Sequence, residues 1–430
     1  MARLTDQDFA AAIASAAQAN RRGDVQAALA GYRRAIDHDP SSAMAHNALG
    51  NTLLSTGAAE AARACFERAA ALDPTAPELL LNLAKACRLA RDDAAEEAAL
   101  DAALALDQRH FMARLRAAEL HERVGKLAAA ALHWGAVLAL APAAAECPPA
   151  LHPVLDHARA FIAEHMSRFE EAVRPALATG RAGASQLSTR RFDVCVDAAL
   201  GKRRIYANDC HGLHYPFLPA DEFFDRDHFP WLSSIEAQAG VIRDELLALI
   251  ADRHDAIVPY VQQDAGTPRN KWSELDRSTR WGAFFLWRHG ERIDAACSAC
   301  PATAAAVERL PLADIPGRAP TVFFSLLEPG AHIPAHTGVT NTRAIVHLPL
   351  VVPAGCRFRV GGETRLWREG EAFAFDDTIE HEAWNDGPDL RAVLIFDTWN
   401  PHLHDDEREM IRTFFVASDA SGYGTPLPKD

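Results

Sequence analysis

The chain reads as two unlike parts: an all-α solenoid of helical repeats, then an antiparallel β-sandwich or jelly roll with flanking helices. Three observations predict this. Similar segments recur at an exact 34-residue spacing in the first third, and short β-prone runs separated by Gly- and Pro-bearing turns crowd the last third. The composition, 49% hydrophobic and 24% charged over 430 residues, is that of a globular chain long enough for roughly two to four domains.

The repeats come first. GDVQAALAGYRRAIDHDP starts at Gly23, GAAEAARACFERAAALDP at Gly57, RDDAAEEAALDAALALDQ at Arg91 and GKLAAAALHWGAVLALAP at Gly125. Aligned columns keep a small residue at Ala16, Gly50, Ala84 and Ala118 and a large one at Tyr32, Phe66, Leu100 and Trp134. Two antiparallel helices pack closely where a small side chain faces a large one, and stacking hides each apolar face behind the next repeat. Gly23, Gly57 and Gly125 mark the turn inside each pair, and Pro40, Pro74 and Pro142 stop the second helix. The pattern resembles tetratricopeptide repeats, with Glu96 and Gln108 as departures in the third. Such an array implies a concave face for a protein or peptide segment; a dimerisation surface or rigid spacer is the alternative. The oligomeric state is left open.

From about Ala143 the register is lost. Leu151 to Leu177 reads as one further helix, and the ATGRAGASQLS that closes it as a loop. The expected organisation is a repeat array over 1–142, a helical connector over 143–190 and a β-domain over 191–430.

In the β-domain, Ser234 to Ile250 and CPATAAAVERL read as helices. Strands are expected at 321–327, 343–352, 356–360, 371–377 and 391–399, separated by turns such as EPGA, VGGE, REGE and NDGPD. Alternation puts Arg343, Ile345 and His347 on one face of their strand, opposite Ala344, Val346 and Leu348, so His347 points away from the apolar layer. Arg391 shares a face with Val393 and Ile395. An inward Arg at a barrel mouth needs an anion, either a structural carboxylate or a ligand.

Charge and cysteine usage exclude several function classes. With 44 Lys and Arg against 58 Asp and Glu the net charge is −14, of which −2 falls in residues 1–142, so no basic footprint supports nucleic acid or an anionic membrane as partner. The start, MARLTDQDFA, lacks the basic segment and apolar run of a secretory leader. The longest uncharged stretch, Leu127 to Ala145, is Ala-rich and holds His133, Trp134 and Pro142, which argues against a membrane span. Eight scattered Cys suit a reducing cytoplasm. The single close pair, Cys297 and Cys300, has no second pair or neighbouring His to complete a zinc set and reads as two reduced thiols.

His336 and His381 each sit on a loop beside a strand, in PGAHIPAHTGVTNTR and FDDTIEHEAWN. Two neutral imidazoles with open positions suit Fe(II). The segment from Phe324 to Leu403, running through HLPLVVPAGCRFRVGGETRLWREGEAFAFDDTIEHEAWN to RAVLIFDTWNPHL, resembles the aspartyl/asparaginyl β-hydroxylase family of 2-oxoglutarate-dependent oxygenases. The likeness extends upstream through HYPFLPADEFFDRDHFPWLSSIE. It implies a double-stranded β-helix, or jelly roll.

The resemblance implies that His336 and His381 are the two metal ligands, with Gly338 where other oxygenases place a carboxylate. It implies that Ser325 and Arg391 hold the far carboxylate of 2-oxoglutarate and that His347 lies at its metal-proximal end. Relatives often carry a second Arg two residues before that His; here the residue is Ile345, and Arg343 is the nearest substitute. The cofactors implied are Fe(II), 2-oxoglutarate and O2, and the target is the β-carbon of Asp or Asn in a protein or peptide recruited by the repeats. A small molecule or lipid acyl chain, or a non-catalytic repeat scaffold with a degenerate oxygenase domain, are the alternatives. Asp376 and Asp377 are either groups orienting His381 or a turn cap. His332 is the nearest impostor for a ligand, and Trp281, Trp287, Trp367 and Trp384 line a channel or fill the core.

Overall fold

A computed structural model describes residues 6–143, 146–252 and 254–423. Residues 1–5, half of the leader reading, and Ala144 and Ala145, the end of the uncharged stretch, lie outside them. The chain divides into two compact units, Met1–Gly183 and Ala184–Asp430.

The first unit is all-helical and tetratricopeptide-like. Its helices are α1 (Asp6–Arg21), α2 (Val25–His38), α3 (Ala43–Ser55), α4 (Ala59–Leu72), α5 (Pro77–Ala90), α6 (Asp93–Leu106), α7 (Phe111–Arg123), α8 (Leu127–Leu140) and α9 (His152–Arg181). The turn inside each pair needs a left-handed residue, which Gly23, Gly57 and Gly125 supply with φ near 80°. Arg91 takes the same conformation in the third pair, with φ 62°. Asp24 and Asp92 then cap the second helices by accepting the N–H of Ala27 and of Ala95, each at 3.0 Å.

Packing follows the small-against-large columns. A methyl on Gly50 would lie 2.8 Å from the Phe66 ring, and one on Gly31 2.7 Å from Ala16. Phe66 is fully buried, worth about 2–3 kcal/mol of apolar transfer. The departures in the third repeat are absorbed locally. Glu96 is buried against Arg123 at 2.5 Å, and α6 stops at Leu106 without a proline. Leu155 and Ala158 of α9 join Leu115, Ala118, Trp134 and Val137 in one apolar cluster, so α9 packs on the last repeat.

The second unit opens with α10 (Gln186–Ala199), a helix the sequence did not suggest, tied to the β-region by Arg190 and Glu363 at 2.8 Å. α11 (Leu232–Glu236) and α12 (Ala239–Asp252) replace the single helix expected over 234–250. β1 (Val258–Pro259), β2 (Trp281–Arg288), β3 (Glu291–Arg292), α13 (Asp294–Ala299) and α14 (Pro301–Val307) follow. Then come β4 (Val322–Leu327), β5 (His332–His336), β6 (Arg343–Val351), β7 (Cys356–Val360), β8 (Glu363–Leu366), β9 (Phe373–Phe375), β10 (His381–Asn385), β11 (Arg391–Trp399) and α15 (Asp405–Ser421).

All strand pairings are antiparallel. One sheet runs β1-β2-β4-β11-β6-β9 with β3 beside β2; the other runs β5-β10-β7-β8. The larger sheet uses its two faces differently. Phe324, Leu326, Val346, Leu348, Leu394 and Phe396 pack into the apolar cluster that holds Ile242 and Leu246 of α12 and Val307 of α14. The alternate residues, among them Phe323, Ser325, Ile345, His347 and Ile395, line a cavity shared with β5, β7 and β10 of the smaller sheet. The period-2 argument that turned His347 away from the apolar layer therefore describes its place.

Candidate active site between the two sheets

His336 ends β5 and His381 begins β10, and the register pairs them directly across the sheet. They are strand termini, not loop residues as the sequence suggested; Pro334 inside HIPAH hides a short strand. Their ring centroids are 4.1 Å apart. Nδ1 of His336 lies 2.8 Å from the Pro334 carbonyl and Nδ1 of His381 3.0 Å from that of Ile379. With each Nδ1–H donating to the carbonyl two residues before it, Nε2 is the lone pair left for a metal. Burial pushes the His381 imidazole down to about 4 and that of His336 well below its ordinary range, helped by His381 beside it. Both are neutral at pH 7, the form that binds metal.

Gly338 has a steric reason to lack a side chain. A Cβ there would fall 2.0 Å from Oδ2 of Asp377, whose backbone carbonyl accepts the Gly338 N–H at 2.7 Å. The space beside the histidine pair where a third ligand would project holds the Asp377 carboxyl from the opposite loop. Among the described residues no group of three or more His, Cys, Asp or Glu forms a metal cluster. Asp376 is a turn cap: it accepts the N–H and hydroxyl of Thr378 and the Asn208 amide, and burial raises it to about 6.

The cavity beside the histidines is about 720 Å³. At its deep end Arg391 is 1% exposed, its guanidinium 4.5 Å over the Trp367 ring, and its Nε and Nη2 have no hydrogen-bond partner. Burial brings it down to about 9. Nδ1 of His347 and Nε1 of Trp367 are likewise buried without partners. Ser325 is fully buried, accepts from Nε1 of Trp281 at 3.1 Å and keeps its own O–H to donate. A fold that buries a guanidinium with no counter-charge pays several kcal/mol unless an anion arrives. The orphaned N–H groups of Arg391 and Trp367 fit a dicarboxylate, and the two neutral imidazoles fit a divalent metal.

The other anticipated residues are placed as follows. Arg343 forms a buried ion pair with Asp397 at 2.5 Å, and Asp397 also accepts the Thr321 N–H at 2.6 Å. Ile345 lines the cavity between Arg343 and His347. His332 faces away from the pair, stacked on Trp384 and 3.1 Å from Glu382. Trp281 and Trp367 line the cavity, whereas Trp287 belongs to the core. Cys297 and Cys300 are buried, and the Cys297 thiol donates to the Leu286 carbonyl at 3.5 Å. Among the described residues no helix is long and apolar enough to cross a membrane.

A strap over 208–212 was not anticipated. Its backbone N–H groups donate to Thr378, Gly338 and Val339, and the Asn208 amide reaches Asp376 and Thr378, so it bridges the loops flanking both histidines. His211 borders the cavity from this strap. No period or motif marks it; its only signal is the density of Asn, Asp, Cys and His in NDCHGLH.

Residues 236–401 match the profile of the family Aspartyl/Asparaginyl beta-hydroxylase. The chain is 34% identical over 182 residues to the aspartyl/asparaginyl beta-hydroxylase of Homo sapiens, which covers 42% of this chain and 22% of that protein. It is 37% identical over 192 residues to the ornithine lipid ester-linked acyl 2-hydroxylase of Rhizobium tropici, covering 44% and 64%. It thus spans less than two thirds of either relative. A structure of YrrB, described as a TPR protein with an unusual peptide-binding site, aligns to 37% of this chain and 76% of that one at 20% identity, with a TM-score of 0.31.

Proposed function

From the match of residues 236–401 to the aspartyl/asparaginyl β-hydroxylase family, we propose that the chain is an Fe(II)- and 2-oxoglutarate-dependent dioxygenase. In this reading it hydroxylates the β-carbon of an Asp or Asn side chain in a protein or peptide recruited by the repeats, in the cytoplasm. The array over 1–142 serves binding, and the helical connector over 143–190 joins it to the rest. Residues 191–430 form the catalytic domain, its two sheets read as a jelly roll.

His336 and His381 would hold the metal through Nε2. Arg391 and Ser325 would grip the far carboxylate of 2-oxoglutarate, and His347 would face its metal-proximal end. Arg343, occupied by Asp397, is left a structural part. Iron with 2-oxoglutarate and O2 supplies the replacement of C–H by C–OH, 2-oxoglutarate leaving as succinate and carbon dioxide. This chain's residues orient and exclude. Arg391 would fix the cosubstrate's direction, the Asp377 carboxyl beside Gly338 would be an acidic group near the histidine pair in the cavity lining, and the aromatic walls would keep bulk water out.

The observation that carries the reading is Arg391: a buried guanidinium with orphaned nitrogens in the same cavity as two paired neutral imidazoles. The test is succinate release from the full chain. It should require both Fe(II) and 2-oxoglutarate; an anaerobically purified protein that binds neither would leave only the scaffold reading. A second reading, an acyl-chain substrate, is supported by the likeness to the Rhizobium tropici acyl 2-hydroxylase. Deleting residues 1–142 separates the two, because it should weaken turnover of a protein substrate and spare that of an acyl ester.

A further inference from the structure

The cavity has two chemically different ends. Along β11 both Arg391 and Asp397 line it, and six residues of strand at about 3.3 Å each set their backbones about 20 Å apart. The register then fixes a row across the larger sheet, Phe375 opposite Ile345 and Ile345 opposite Asp397. The Phe375 ring is 5.2 Å from that of His381. Ile345 and Asp397 thus belong to the end of the cavity away from Arg391, level with a ring that touches a proposed metal ligand. This is the end left for a substrate once the cosubstrate occupies Arg391.

Among the described residues no buried, unmatched positive charge lines that end. The Arg343 side chain, 5% exposed, is matched by Asp397 at 2% exposed, so the two cancel where they stand. Ile345, between Arg343 and His347 on the same strand face, contributes hydrocarbon. Tyr260 stacks on Trp281 at 4.0 Å and on Phe323 at 5.3 Å, continuing the apolar wall. Lys271 and Arg288 border the cavity from exposed positions, and the Lys271 ammonium donates to the Ala335 carbonyl at 2.7 Å. Apart from the exposed Lys271 ammonium and the metal, whose charge the bound 2-oxoglutarate dianion would offset, a carboxylate delivered to the histidine pair would exchange water for hydrocarbon and a neutralised ion pair. An uncharged group loses far less on the same transfer.

We propose that the group brought to the histidine pair is uncharged, and that within the peptide reading, on which this rests, the site takes an Asn carboxamide and rejects an Asp carboxylate. Ile345 is the specificity-determining residue.

The test uses the full chain loaded with Mn(II) and a non-reactive 2-oxoglutarate analogue. Calorimetry at pH 7.5 compares N-acetyl-asparagine methylamide, N-acetyl-aspartate methylamide and an octanoyl ester. The asparagine probe should bind at least ten-fold tighter than the aspartate probe. I345R, and I345K as a second variant of different shape, should bring the aspartate probe level or ahead while the melting temperature holds. Equal or tighter binding of the aspartate probe by the unaltered chain overturns the proposal, as does binding of none of the three. Binding of the ester alone upholds an uncharged occupant and sinks the peptide reading instead.

Discussion

The helical unit and the β-unit differ most in the buried charge each contains. In the array a small residue meets a large one, as Gly50 meets Phe66; the buried Glu96 finds Arg123, and the buried His121 and His133 stack on each other, centroids 5.1 Å apart. In the β-unit two imidazoles stand side by side and a guanidinium has nitrogens with nothing to bond. The charge buried in the array is matched by a partner; the Arg391 guanidinium is not, and leaving it so costs stability. Chemistry is to be sought where burial runs against the fold's own interest.

The sharpest way to break this comparison is His381→Ala. It should reduce metal-dependent succinate formation to background with the melting temperature almost unchanged; full activity would show that the pair is structural. Next is Arg391→Met, expected to raise the KM for 2-oxoglutarate on the order of 100-fold. Without cosubstrate the same variant should be no less stable than the parent, because a buried unpaired charge has been removed. Phe66→Ala is the opposite case, costing about 3–5 kcal/mol of stability in denaturant titration with that KM unmoved.

Acid compares the two units directly. Burial holds His133 in the array and His381 in the site near 4. Both are neutral in the fold and charged when unfolded below about 6.5. Stability is therefore complete above pH 6.5 and falls toward pH 4, by about 2 kcal/mol at pH 5 for His133. Added Mn(II) should offset the loss only in the β-unit, which thermal melts at pH 7 and pH 5 can show. The smallest effect belongs to the turns: Arg91→Gly, relieving a left-handed non-glycine residue, should add about 0.5–1 kcal/mol.

Legibility in the sequence followed the same divide. The repeats were readable because each repeat must obey the same packing rule, so Gly57 and Tyr32 announce themselves by recurrence. The cavity face of β6 was readable because alternation is local, which placed His347 correctly. β2 was not, since WGAFFLWR is apolar on both faces and shows no period, and α10 was hidden behind a Gly-containing stretch that reads as loop. The neutralisation of Arg343 could not be read either, because Asp397 lies 54 residues away and meets it only through the β11–β6 ladder.

Beside His336 stand two indoles, Trp272 at 5.0 Å and Trp281 at 6.4 Å between ring centroids. An ion with unpaired electrons seated on the histidines would quench their emission at such range. With a metal there the protein would carry a label-free optical reporter of its own occupancy, whose dimming could be followed in dilute solution before any substrate is known.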